Sequence, residues 1–116
     1  MQVQIFGTRK CKDSRKAERF FKERRVKIHF VDLTQKPASK GELRRFAQRF
    51  GIETVIDRES RRFSELGLGP ASYGEGRWLE ILSEEPLVLR TPLVRFQSQV
   101  SVGLAEDTWK AWVSAG

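Results

Sequence analysis

The sequence is poor in the residues that cross-link a chain or hold a metal. Its 116 residues include one cysteine and one histidine. A lone cysteine, Cys11, permits no internal disulfide, which points to a reducing, cytoplasmic setting. His29 falls in a strand-like run without Cys or carboxylate partners and reads as structural. There is no metal-ligand cluster and no phosphate-cradling glycine loop. No run approaches the ~20 apolar residues of a membrane span. The N-terminus passes straight into a strand pattern, without the apolar region and cleavage site of a signal peptide. Internal repeats and low-complexity segments are also missing.

What is present suits one soluble domain, with 39% hydrophobic and 32% charged residues. The length allows one core and is too short for two. The net charge of +7 is unevenly placed. Between Arg9 and Lys27 lie ten Lys/Arg against three Asp/Glu, while the remainder has twelve of each. The whole surplus therefore surrounds Cys11 and the segment after it. Charge runs are usually solvated helix faces, but this one can also hold a thiolate and attract an anionic small molecule or an acidic partner. No nucleic-acid motif accompanies it, so direct nucleic-acid binding is not expected.

The periodicities give an order of elements. Val3 and Ile5 alternate with Gln2 and Gln4 as a strand. Ala17, Phe20, Phe21 and the stem of Arg24 share one helical face. Lys27 to Leu33 reads as a second strand, with Ile28 and Phe30 largely buried, and the crossover is long enough for parallel pairing. Ser39 and Glu42 form a capping box for a helix that buries Leu43, Phe46, Ala47 and Phe50 and stops at Gly51. Ile52 to Leu68 reads as short helical pieces turning Val55, Ile56, Phe63 and Leu66 inward. Arg77 to Ser83 predicts a helix burying Trp78, Ile81 and Leu82. Leu93–Phe96 and Val100–Val102 form a meander pair. A last helix from Ala105 to Ser114 places Leu104, Trp109, Trp112 and Val113 on the core side. The order is that of a thioredoxin fold: one α/β domain over residues 1–116, a mixed sheet with helices on both faces, and a helical insertion at about 39–84.

Cys11 stands where the first strand hands over to the first helix, in Gly7-Thr8-Arg9-Lys10-Cys11-Lys12-Asp13-Ser14-Arg15-Lys16. Free amides and the positive end of the helix dipole stabilise an anion there, so the thiol is expected to be rich in thiolate. Ser14, one turn on, can donate to the sulfur, and Arg15 is a candidate anion contact.

Cys11-x-x-Ser14-Arg15-Lys16 after a strand resembles the arsenate reductase-like branch of the thioredoxin superfamily, which includes glutaredoxin-coupled arsenate reductases, the Spx transcription regulators and a less characterised related group. Glu53 to Arg58 is similar to the family segment ending in an arginine that faces the active site. Glu84 to Val94 resembles its "hPxLhxRPhh" stretch (h apolar), and Val100 to Leu104 its closing "hxVGF". Nearly the whole chain is covered. The resemblance implies a cis Thr91–Pro92 bond beside Cys11, with the Thr91 backbone able to pair with a thiol-peptide ligand, and Arg58 as an oxyanion contact. Two departures narrow the chemistry. The arsenate reductases carry arginine where this chain has Thr91, Arg90 being one place out of register, and a third family arginine aligns near Val100. Arsenate reduction thereby loses two of three bidentate clamps, for which Arg9, Lys12 and Arg15 are partial substitutes. The Spx regulators typically carry Cys-x-x-Cys, whereas Ser14 cannot close a disulfide.

The expectation is a monothiol oxidoreductase with Cys11 as nucleophile, Ser14, Arg15, Arg58, Thr91 and Pro92 at the substrate, no bound cofactor, and glutathione or glutaredoxin as the external thiol. The alternative is a non-enzymatic, Spx-like regulator binding a protein such as RNA polymerase.

Overall fold

The computed structural model describes residues 1–115. The elements run β1 (Gln2–Gly7), α1 (Lys12–Glu23), β2 (Lys27–Asp32), α2 (Lys40–Phe50), α3 (Ile52–Val55), α4 (Arg61–Glu65), α5 (Glu75–Glu84), a 3-10 turn at Pro86–Val88, β3 (Leu93–Phe96), β4 (Gln99–Val102) and α6 (Glu106–Ala115). They form two compact units, one from residues 1–32 with residue 91 onward and one from Leu33–Arg90. Among the described residues no helix is long and apolar enough to cross a membrane.

The first unit holds a four-stranded sheet in the order β2-β1-β3-β4. β1 runs parallel to β2, with Ile5 opposite Phe30, and antiparallel to β3, with Ile5 opposite Val94. Parallel pairing needs a crossover, and α1 supplies it. Alternation along the strands sends Val3, Ile5, Val94 and Phe96 to one face. There they pack with Ala17, Phe20 and Phe21 of α1 and with Trp109 and Trp112 of α6. The rings of Phe20, Phe21 and Trp109 stand 5.1–5.5 Å apart in edge and tilted contacts, the geometry that aromatic quadrupoles favour. Trp109 Nε1 donates to Ser101 Oγ at 2.8 Å, so the polar edge of this buried ring is satisfied. This is the α/β, mixed-sheet architecture of the thioredoxin-like fold.

The second unit is built from α2 to α5 and the 3-10 turn. The expected capping box is present: Ser39 Oγ accepts from Glu42 N at 3.1 Å, and the Ser39 N–H donates to Glu42 Oε1 at 3.0 Å. Gly51 follows at φ 89°, a left-handed value that explains why the helix stops there. Leu43, Phe46, Val55, Ile56, Phe63, Trp78 and Leu82 are buried in this unit. α5 starts two residues earlier than the periodicity predicts and buries Leu79 as well.

Several side chains expected inside are not. Phe50 and Leu66 lie at or just past the ends of short helices and are 36% and 37% exposed. Arg49 covers the Phe50 ring at 5.2 Å in place of a core contact. Leu104 is 44% exposed because it sits in the bend after Gly103, before α6 begins. Ile28 and Phe30 are only half-buried, since β2 is a sheet edge, and His29 beside them is exposed.

Candidate functional site

β1 ends at Gly7, and the chain turns through Thr8 before α1 begins. The turn is closed by the Cys11 N–H, which donates to Thr8 O at 3.2 Å and Thr8 Oγ1 at 3.1 Å. Cys11 is the N-cap of α1, in extended backbone conformation. Its Sγ accepts from the Ser14 N–H at 3.4 Å, as a serine or aspartate oxygen does at an ordinary cap. Gly7 has a steric reason to lack a side chain. A Cβ there would lie 2.8 Å from Ser14 Cβ and overlap Ser14 Oγ. The first turn of α1 can therefore sit directly on the end of the strand.

From the other side comes Thr91, whose bond to Pro92 is cis, as expected. Thr91 Oγ1 donates to Cys11 Sγ at 3.0 Å, and in the thiol form Sγ lies 3.8 Å from Thr91 O, a long contact for S–H donation. Pro92 O accepts from Gly103 N at 2.8 Å, which ties this turn to the end of β4. Cys11 is half-buried, so the residue stays in partial contact with solvent while these donors hold its sulfur.

Burial pushes the thiol up, but the hydroxyls of Ser14 and Thr91 and the amides of Ser14 and Asp13 pull it down by more, leaving it below its ordinary value. Ser14 Oγ is fully buried and makes no settled hydrogen bond. A hydroxyl can rotate, and a thiolate is a far better acceptor than a thiol. We therefore count Ser14 Oγ as a donor that the anion recruits rather than a bond already made. An orphaned buried hydroxyl costs folding free energy, and an anionic sulfur removes that cost.

The remaining expected site residues have the following partners. Arg15 Nη1 donates to Arg9 O at 3.2 Å. Arg9 is taken by the Glu18 carboxylate at 2.6 and 2.8 Å and lies over the Phe30 ring. Arg58 belongs to the second unit, where Glu53 holds it through two bonds of 2.9 and 2.7 Å. Its guanidinium also lies over the Phe63 and Trp78 rings. The structure thus brings Cys11, Ser14, Thr91 and Pro92 together. Sequence reasoning assigned Thr91 a role through its backbone and missed its hydroxyl, which is the shortest contact to the sulfur. It also missed Gly7 and Thr8, which shape the turn. Among the described residues no group of His, Cys, Asp and Glu could hold a metal ion.

The chain is similar to known proteins over nearly its whole length. The chain is 25% identical over 114 residues to the uncharacterized protein YusI of Bacillus subtilis, covering 95% of this chain and 97% of that one. It is 28% identical over 109 residues to the global transcriptional regulator Spx 2 of Oceanobacillus iheyensis, covering 92% and 80%. An arsenate reductase structure from Vibrio cholerae superposes with a TM-score of 0.81 at 21% identity, covering 93% of this chain and 94% of that one. The ArsC family model matches residues 6–112, and the chain belongs to the ArsC family.

Proposed function

We propose that the protein is a monothiol oxidoreductase in which Cys11 is the nucleophile and an external thiol completes the cycle. The observation that carries this reading is the convergence on Cys11 Sγ of the Ser14 amide and the Thr91 hydroxyl at the start of α1. These donors stabilise negative charge on sulfur, and the thiolate is the reactive form. The Cys11 thiolate attacks one sulfur of a disulfide: a Cys11 Sγ–S bond forms, the S–S bond breaks, and the other sulfur leaves as a thiolate. A second thiol of the glutathione or glutaredoxin class then attacks the mixed disulfide. It takes the bound sulfur into a new disulfide and returns Cys11 as thiolate. Ser14 cannot close an internal bond, so the second thiol must come from outside.

The polar neighbour of the sulfur is a neutral hydroxyl, Thr91, rather than a cation. That favours a disulfide over an arsenate-like oxyanion, which needs bidentate positive partners. Cys11 is the sole thiol in the sequence, so iodoacetamide labelling reads it without ambiguity. The rate is expected to titrate with a midpoint below that of a free thiol. A midpoint at or above about 8.5 would overturn the proposal.

A second reading, a regulator acting on a partner such as RNA polymerase, is favoured by the alignment of a protein named Spx 2 over 92% of this chain. Cys11→Ser separates the two. Loss of a mixed-disulfide product supports the oxidoreductase, and retained binding of purified RNA polymerase by the variant supports the regulator.

A further inference from the structure

α1 carries a row of cations that local helix energetics disfavour. Helical spacing sets Lys12, Arg15, Lys16, Arg19 and Lys22 opposite the buried Ser14, Ala17, Phe20 and Phe21. All but the half-buried Lys16 are exposed. Lys12 neighbours Arg15 and Lys16, and Arg19 neighbours Arg15, Lys16 and Lys22, at three- and four-residue spacings where like charges repel. Lys12 also sits in the first turn, where the helix dipole opposes a cation. Relief is scarce. Asp13 and Glu18 lie half-buried on the flanks, Glu18 is already taken by Arg9, and the exposed Glu23, four residues after Arg19, offsets the row only at its C-terminal end. Among the described residues Lys12, Lys16, Arg19 and Lys22 make no ion pair or hydrogen bond through their side chains.

We propose that this row docks a protein partner with an acidic helical face and guides the partner's disulfide to Cys11 at the row's N-terminal end. The proposal rests on Cys11 being the nucleophile. Two observations select this occupant. At 1.5 Å per residue the row runs ~15 Å from Lys12 to Lys22, beyond the roughly 10 Å reach of an extended tripeptide such as glutathione. Its C-terminal end is also of mixed sign. Glu23, on the cationic face itself, and Glu106 join Lys16, Arg19 and Arg24 around a hollow of about 280 Å³. Those carboxylates would oppose the two phosphate rows that border a groove roughly 12 Å wide in duplex DNA. On a partner protein each of them can meet a cation, so a narrow positive strip that turns to mixed charge at its C-terminal end specifies a protein surface.

The test uses two alanine-rich helical peptides, identical except for Glu or Gln along one face. Each carries one cysteine as its mixed disulfide with thionitrobenzoate. Attack by the Cys11 thiolate forms the protein–peptide disulfide and releases the coloured thionitrobenzoate anion. The Glu peptide is expected to react about tenfold faster than the Gln peptide at low salt, within the range of electrostatic steering. The advantage should vanish near 1 M salt, where the screening length is about 3 Å. Combining Lys16→Gln, Arg19→Gln and Lys22→Gln should bring the Glu-to-Gln rate ratio to about one. Equal rates with the native protein, or a ratio that survives the triple change, overturn the proposal. If neither peptide releases the chromophore, the nucleophile reading fails. Docking is then read by fluorescence anisotropy of a labelled Glu peptide with serine in place of cysteine, alongside a short DNA duplex. Peptide binding that needs the three cations upholds the docking face. No peptide binding, or tighter binding of the duplex, overturns it.

Discussion

Replacing Thr91 by valine removes one hydroxyl and keeps the shape of the side chain, the backbone carbonyl and Pro92. The lost contact is the 3.0 Å bond from Thr91 Oγ1 to Cys11 Sγ. Hydrogen bonds to charged groups are worth about 1.5–3 kcal/mol, and the half-open setting of Cys11 places this one at the lower end. A loss of ~1.4 kcal/mol reduces the thiolate population below the titration midpoint about tenfold. The labelling rate falls less, because the more basic thiolate that remains is also more nucleophilic. With a Brønsted slope of roughly 0.4–0.5 the net loss is about threefold at neutral pH. The decisive assay is therefore the titration itself, followed by thiolate absorbance in the ultraviolet. T91V should move the midpoint upward, and T91S, which keeps the hydroxyl, should leave it near the native position. An unmoved midpoint in T91V would refute the assignment of Thr91 as a thiolate donor.

Three further outcomes follow from the same geometry. The folded state holds the Cys11 thiol below its ordinary value, through the hydroxyl and amide donors around the sulfur. An unfolded chain thus binds more protons between the folded and ordinary values, and native stability relative to Cys11→Ala should rise with pH across that window. The gain is complete above the ordinary value and lost as pH falls through the folded one; denaturant titrations at several pH values would expose a flat difference. Gly7→Ala puts a methyl group against Ser14 and should cost about 1–3 kcal/mol by overpacking, measured as a lower denaturation midpoint, with the thiol titrating higher as the first turn of α1 is displaced. Trp109→Phe leaves the buried Ser101 hydroxyl without its donor and should cost at least about 1–3 kcal/mol in the same assay; a change within ~0.5 kcal/mol would contradict the role given to that bond.

The parts of the structure that were legible in the sequence are those where a single physical rule acts locally. The Ser39–Glu42 box, the stop at Gly51, the two-residue alternation of Val3 and Ile5 and the thiol at the start of α1 each follow from neighbours a few positions away. Errors arose where periodicity was carried past the end of an element. Phe50, Leu66 and Leu104 keep the apolar spacing but stand at or beyond the ends of their helices. The half-exposure of Ile28 and Phe30 depends on strand order, which alternation does not encode. At the site, Cys11 and the cis Thr91–Pro92 bond were both anticipated. The Thr91 hydroxyl was not, because its contact with residue 11 spans 80 positions and no local pattern marks it. The partner of Arg58 was also not read: Glu53, five positions away, holds it through two bonds on the exposed surface of the second unit.

The N-cap position of Cys11 has a further consequence for the proposed cycle. The sulfur proposed to react is also the atom that caps the start of α1, because it accepts the Ser14 N–H. A sulfur joined in a mixed disulfide is a poorer acceptor than a thiolate, so the Ser14 amide and the buried Ser14 hydroxyl both lose their best partner when the adduct forms. The first turn of α1 is then held less firmly, and its amide protons should exchange faster than in the reduced protein. Release by an external thiol restores the cap. The folding free energy of one helical turn thus contributes to making Cys11 a good leaving group.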